Sequence, residues 1–205
     1  MTTNTDAIRI EPTTDAATVE LPERLGDAIA ELYGVDGVET AADLLGAVTF
    51  AVEPTAKDPL GPEDLCTTEE SPHVLTADGE RQAYQCVYDP MIVPFLTGEA
   101  GTVTSECPTS GETVRFEVTA DGTVHATPET AVFSFGVDAT ASGDPPYAPE
   151  EMYGYTCPYG NVFVDRDAYG EWAAESDAVT APLPLEYGLA IASELAGRMT
   201  ATAEK

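Results

Sequence analysis

Three side chains of this sequence have the chemistry to grip a soft metal: Cys86, Asp89 three residues further on, and the distant Cys157. They lie in Cys86-Val-Tyr-Asp89-Pro90 and in Tyr155-Thr-Cys157-Pro158-Tyr159. Two thiols beside an acid that can carry a proton suit a thiophilic metal, because soft metals prefer thiolates to oxygen or nitrogen ligands. The pair Asp89-Pro90 reads as a helix start, with Asp as N-cap and Pro at the first helical position. Residues three apart then share a face, so the Cys86 thiol and the Asp89 carboxylate can converge on one ligand. A helix N-terminus beside a cysteine also favours its thiolate. The plainer reading has Asp89 as a cap and Cys86 as a small buried hydrophobe, and the two readings are compatible. Cys157 alone, ahead of Pro158-Tyr159-Gly160, reads as a turn cysteine.

The remaining candidates are weaker. The four cysteines, at 66, 86, 107 and 157, contain no Cys-x-x-Cys and no Cys/His pair at zinc-finger spacing, which argues against structural zinc. His73 and His125 fall in strand-like segments and read as ordinary strand histidines. No phosphate-binding glycine loop, dinucleotide fingerprint or nucleophile elbow is present in the sequence.

Charge narrows the partners. Acidic residues number 37 against 8 basic ones, a formal net charge of −29, and lysine occurs only at Lys57 and Lys205. Acids spread over the whole length, with 43% hydrophobic residues, indicate a folded chain adapted to high salt and not a disordered acidic one. At molar salt the Debye length is only about 3 Å, so self-repulsion is screened. Such a surface opposes nucleic acid and anionic membranes, which bind through Lys and Arg. No run approaches the roughly 20 apolar residues of a membrane span. The start, Met1-Thr-Thr-Asn-Thr-Asp6, lacks the basic and apolar stretches of a signal peptide. A cytoplasmic location is expected, where cysteines serve as free thiols, ligands or catalysts.

The elements that must position the thiols follow from the pattern. Residues 1–20 read as a flexible acidic tail, and 21–72 as a short helical N-terminal region and linker. Within that region, Leu25, Ile29 and Leu32 recur at helical spacing between Pro22 and Gly34. A second helix spans about Thr40 to Val48. Two such helices could open a helix-turn-helix, but the acidity favours a helical cap on the core. Proline and glycine make 53–72 irregular. Residues 73–76 and 82–86 form a hairpin around Asp78-Gly79. A short helix runs from Asp89-Pro90 to Gly98, interrupted by Pro94. Strands are expected near 102–106, 113–119, 131–137 and 160–164, with turns at Ser110-Gly111 and Asp121-Gly122. Residues 138–151 read as a loop, and helices near 167–175 and 184–199 close the chain. The alternation is α+β, not a regular βαβ series.

The stretch Tyr84-Gln-Cys86-Val-Tyr-Asp89-Pro-Met-Ile-Val-Pro94-Phe-Leu-Thr-Gly98 resembles the core motif of the organomercurial (alkylmercury) lyases, the MerB family. Thr104-Ser-Glu-Cys107-Pro-Thr-Ser-Gly111 resembles that family's next segment. Tyr155-Thr-Cys157, with Trp172 fifteen residues later, is similar to the segment carrying its second reactive cysteine. The resemblance covers roughly residues 73–200, so 73–205 is expected to be a MerB-like catalytic core of small, mostly antiparallel sheets with flanking helices. It implies Cys86 and Cys157 as the mercury-binding thiols and Asp89 as the proton-handling acid and a possible further ligand. Cys107 would be structural. The chain departs from the family in its short N-terminal region, with no full winged helix, and in Pro158, where some relatives carry another cysteine. Cys66 has no counterpart in the motif.

The resemblance implies cleavage of the carbon–mercury bond by protonolysis, giving a hydrocarbon and Hg(II). The partner is then an organomercurial small molecule, with mercuric reductase as a possible recipient of the product. Mercury is substrate and product, no resident cofactor is implied, and external small thiols would assist release. Two rival readings use the same cysteines. One is a non-catalytic protein binding Hg or Cu through thiolates, which has no need of Asp89. The other is a thiol-redox protein in which Cys86 and Cys157 form a reversible disulfide.

Overall fold

A computed structural model describes residues 15–51, 61–118, 124–141, 145 and 147–200. Helices α1 (Glu23–Tyr33) and α2 (Ala41–Ala51) come first. They are followed by β1 (Thr67–Thr68), β2 (His73–Ala77), β3 (Glu80–Tyr84) and α3 (Tyr88–Thr97). Next come β4 (Gly101–Glu106), β5 (Thr113–Val118), β6 (Val124–Thr127) and β7 (Val132–Val137). The chain continues through α4 (Pro149–Thr156), β8 (Val162–Phe163), α5 (Arg166–Glu175), β9 (Val179–Pro184) and α6 (Leu185–Thr200). The architecture is α+β. One antiparallel sheet has the order β1-β3-β2-β4-β5-β6, and a smaller one the order β8-β7-β9.

The turns follow from residue type. Asp78 and Gly79 both take positive φ, 47° and 80°, which is the geometry a two-residue hairpin needs between β2 and β3. Gly98, at φ 75°, ends α3 in the left-handed region, and its N–H donates to the Pro94 carbonyl. Pro94 sits inside α3 without ending it. β7 lies at the centre of the smaller sheet and is buried along its whole length, so it reads Val-Phe-Ser-Phe-Gly-Val without alternation.

One apolar core joins α1, α2, α3, α6 and both sheets, with Leu25, Ile29, Leu44, Met91, Phe116, Phe133 and Leu189 among its most enclosed side chains. The first two helices therefore cap the core with their apolar faces. α2 is started by a reciprocal cap: the Asp43 carboxylate accepts the Thr40 N–H at 2.9 Å, and Thr40 Oγ1 accepts the Asp43 N–H at 3.2 Å.

Several elements differ from the sequence reading. Residues 16–18 form a 3₁₀ turn with Val19 fully buried, and Glu20 bridges to Thr40, so the tail gives way to packed structure before residue 20. The rest of the expected tail and the Asp121-Gly122 turn lie outside the described residues. The expected loop over 138–151 ends in α4, where Pro149 opens the helix and the Glu151 carboxylate accepts the Ala148 N–H at 3.0 Å. The strand β9 contains Pro182 and Pro184, a composition that reads as loop. It is tolerated because β9 is an edge strand.

Candidate active site

Cys86 leaves the end of β3 and is almost fully buried, with 1% of its surface exposed. α3 begins two residues later. Asp89 is not its N-cap: Val87 holds that position in a helical conformation, and Asp89 lies within the first turn. Its carboxylate is thereby freed from capping and turns to the start of β1, where Oδ2 accepts the Cys66 N–H at 2.9 Å. Burial pushes the Asp89 carboxyl above the usual carboxylate range, opposed by the backbone N–H and the thiol of Cys66.

Cys157 sits where α4 passes into a 3₁₀ turn over Cys157–Tyr159. This turn is tied to the start of α3. The Gly160 carbonyl accepts the Val87 N–H at 3.1 Å, and the Tyr88 hydroxyl donates to the Ser134 carbonyl at 3.0 Å. Ser134 Oγ, on β7, donates to the Tyr159 carbonyl at 2.6 Å and accepts the Asn161 N–H at 3.2 Å. The Tyr88 ring meanwhile packs on Gly160, where a Cβ would stand only 2.8 Å from its carbons. These bonds bring two segments seventy residues apart into register.

The thiols meet as a result. Cys157 interacts with Cys66 and with Cys86, and the three thiols line one cavity. Cys66 favours the Cys157 thiolate, but Cys86, burial and the charge of Asp89 outweigh it and push the thiol up. The Cys66 thiol is also pushed up, first by Cys157, then by burial and the charge of Asp89, while Tyr153 opposes. The described thiols are all free. Among the described residues, no three His, Cys, Asp or Glu side chains close on one point as a resident metal site would require.

Cys66, Cys86, Asp89 and Cys157, with Asp64, Tyr153 and Thr156, are the polar lining of a cavity of about 310 Å³. Its walls are otherwise apolar: Tyr33 and Leu44 from the N-terminal helices, Phe133 and Phe135 from β7, Met152 from α4, and Ile191 and Leu195 from α6. Of the aromatics near the motifs, Tyr88 lines this space, whereas Tyr84 and Phe95 are buried in the core and Tyr155 stacks edge-on against Tyr147. Cys107 is fully buried in a separate cluster with Val132, Phe163 and Tyr169. His73 is a core residue whose Nδ1 bonds Ser105 Oγ at 2.8 Å, and His125 lies on an exposed face of β6. Neither histidine reaches the cavity.

Sequence reasoning missed Cys66 because it lay in a Pro-rich stretch with no motif around it. The signal is topological. β1 pairs with β3 so that Thr67 faces Tyr84, and the Cys66 carbonyl accepts the Gln85 N–H at 3.0 Å. That register sets Cys66 beside the end of β3, from which Cys86 emerges.

The family model for alkylmercury lyase, MerB, matches residues 66–197. The chain belongs to the alkylmercury lyase family. Its match begins at Cys66 itself, so the third cysteine lies within the family's extent. An alkylmercury lyase of Streptomyces lividans is 30% identical over 114 residues, which are 56% of this chain and 49% of the relative. One from Pseudomonas putida is 24% identical over 140 residues, 68% of this chain and 61% of the relative. The chain thus spans about half to three fifths of the length of these MerB relatives. A crystal structure of the mercury-bound form of MerB2 shares the fold, with a TM-score of 0.52 and 17% identity over 77% of this chain and 73% of that one.

Proposed function

We propose that this chain cleaves the carbon–mercury bond of organomercurials by protonolysis, releasing a hydrocarbon and Hg(II). The observation that carries the reading is that the Cys86 and Cys157 thiols and the Asp89 carboxyl line one largely apolar cavity. The reaction is R–Hg⁺ plus a proton giving R–H and Hg²⁺. Cys157, half-buried where Cys86 is fully buried, captures the organomercurial first. The second thiolate raises electron density at the metal, which weakens the carbon–mercury bond and makes the carbon a better proton acceptor. Asp89 takes the proton of the incoming thiol and returns it to the departing carbon, serving as base and then acid. A buried carboxyl with a raised pKa suits that double role, since it holds a proton more readily than an exposed one.

The apolar walls match the hydrocarbon part of the substrate and exclude competing water. The catalytic unit in this reading is residues 73–205 together with Cys66. The setting is the cytoplasm, and Hg(II) leaves through small thiols or a mercuric reductase.

Phenylmercury cleavage in molar salt with excess small thiol tests the reaction. Benzene release above the protein-free control is expected, and its absence from folded, mercury-binding protein would reduce the chain to a thiolate binder.

A further inference from the structure

We propose that Cys66 is a third mercury-carrying thiol, the outer member of a sulfur relay that runs Cys66–Cys157–Cys86. The inference rests on the lyase reading for its substrate and on the site's geometry for everything else. Cys66, Cys157 and Cys86 line one cavity, and Cys157 interacts with both of the others. Access falls along the same line: Cys66 and Cys157 are half-buried and Cys86 is buried. Cys66 is held in place by its backbone, whose N–H binds Asp89 Oδ2 and whose carbonyl accepts the Gln85 N–H. A residue serving only to orient Asp89 through its N–H could be of any type but proline. The thiol is an addition, and it lines the cavity together with the Asp89 carboxyl, whose ionised form it favours.

The step balances without a redox partner. The Cys66 S–H gives its proton to Asp89, and a Cys66 Sγ–Hg bond forms on the Hg(II) held by Cys157 and Cys86. The Hg–Sγ bond to Cys86 then breaks, and the freed Cys86 thiolate recovers the proton from Asp89. Mercury remains Hg(II), now held by Cys66 and Cys157 nearer solvent, and Cys86 is reset. Tyr153, 38% exposed, lines the same cavity and favours the Cys66 thiolate during transfer.

The test uses the full, reduced chain in molar KCl, with or without one equivalent of Hg(II), pulsed with iodoacetamide and read by mass spectrometry. Hg(II) should slow alkylation of Cys66 by about tenfold or more, together with Cys157, while leaving Cys107 unchanged. Cys86→Ser should keep one Hg(II) bound with Cys66 and Cys157 both protected. Cys157→Ser should lose protection of Cys66, because the bridging sulfur is gone. Equal alkylation of Cys66 with and without Hg(II), in the wild type and in Cys86→Ser, would overturn the relay. The wild-type comparison stands even where a variant fails to fold. Benzene release is scored separately: protection of Cys66 without phenylmercury cleavage would remove the lyase reading and leave the relay, and cleavage without protection would do the reverse.

Discussion

The backbone N–H of Val87 donates to the carbonyl of Gly160 at 3.1 Å, joining the residue after Cys86 to a residue three beyond Cys157. No side chain is needed for that bond. It fixes the distance between the Cys86 and Cys157 backbones, and the Tyr88 ring locks it by lying against Gly160. The two segments that carry these cysteines are therefore tied by a main-chain bond.

Gly160→Ala should disrupt this arrangement. The added Cβ would stand 2.8 Å from two ring carbons of Tyr88, a residue whose hydroxyl is also anchored to Ser134. The ring cannot yield without moving the first turn of α3 and with it Cys86. Phenylmercury cleavage should fall by about tenfold to a hundredfold, since misplacement of about 1 Å can cost that much. Gly170→Ala, where a new Cβ meets nothing within 4 Å, is the control and should leave cleavage intact. Equal cleavage by both variants would show that the Tyr88–Gly160 contact does not position the thiols.

Asp89→Asn separates chemistry from binding. The amide keeps an oxygen to accept the Cys66 N–H but can neither take nor return a proton. Cleavage should drop by about a hundredfold or more, as loss of a general acid–base group commonly gives, while Hg(II) binding persists. The wild-type pH profile carries the same signature. Asp89 must be ionised to accept a thiol proton, and burial raises its pKa, so the acid limb should lie above the ordinary carboxylate range. Cys157 and Cys66 are raised as well, so the proton inventory of the site should persist into alkaline solution. An acid limb at the value of an exposed aspartate would contradict this assignment.

The Cys86-Val-Tyr-Asp89 motif, the α1 stripe of Leu25, Ile29 and Leu32, and the Asp78-Gly79 hairpin were all legible, because each is a local pattern with a local cause. What escaped was set by distant partners. Asp89 before Pro90 has the composition of an N-cap, yet a strand paired elsewhere presents it with the Cys66 N–H, and the helix starts two residues sooner. β1 is two residues long and has no periodicity of its own, so the third thiol could not be placed without the β1–β3 register. β9 carries two prolines that signal a loop until its edge position is known.

His73 makes a prediction about stability. Burial lowers its pKa from 6.5 to about 4, so it is neutral in the folded chain at pH values where the unfolded chain would protonate it. The unfolded state then binds the extra proton, and stability falls as pH drops from about 6.5 toward 4. At about 1.4 kcal/mol per pH unit the full displacement amounts to roughly 3 kcal/mol. Acidification also discharges carboxylates, so the informative quantity is a difference. Urea unfolding of wild type and His73→Gln at pH 7 and pH 4.5 should show the steeper acid loss in the wild type. Parallel losses would place the acid sensitivity elsewhere.

The charge of −29 makes the last prediction. With so few basic residues to pair, the folded chain holds its acids closer together than the unfolded chain does, and their repulsion opposes folding. Raising KCl from 0.1 to 1 M shortens the Debye length from about 10 Å to about 3 Å, less than the spacing of most surface charges. The thermal midpoint should climb by about 10 °C or more over that range and then flatten, since screening saturates. Salt can also act by strengthening apolar burial, an effect that excluded solutes such as sucrose reproduce without screening and that continues to grow with concentration. Sucrose should therefore give a smaller, unsaturating rise. A midpoint flat in KCl up to 1 M and rising only beyond it would assign the salt response to burial and leave the acidic surface without a part in stability.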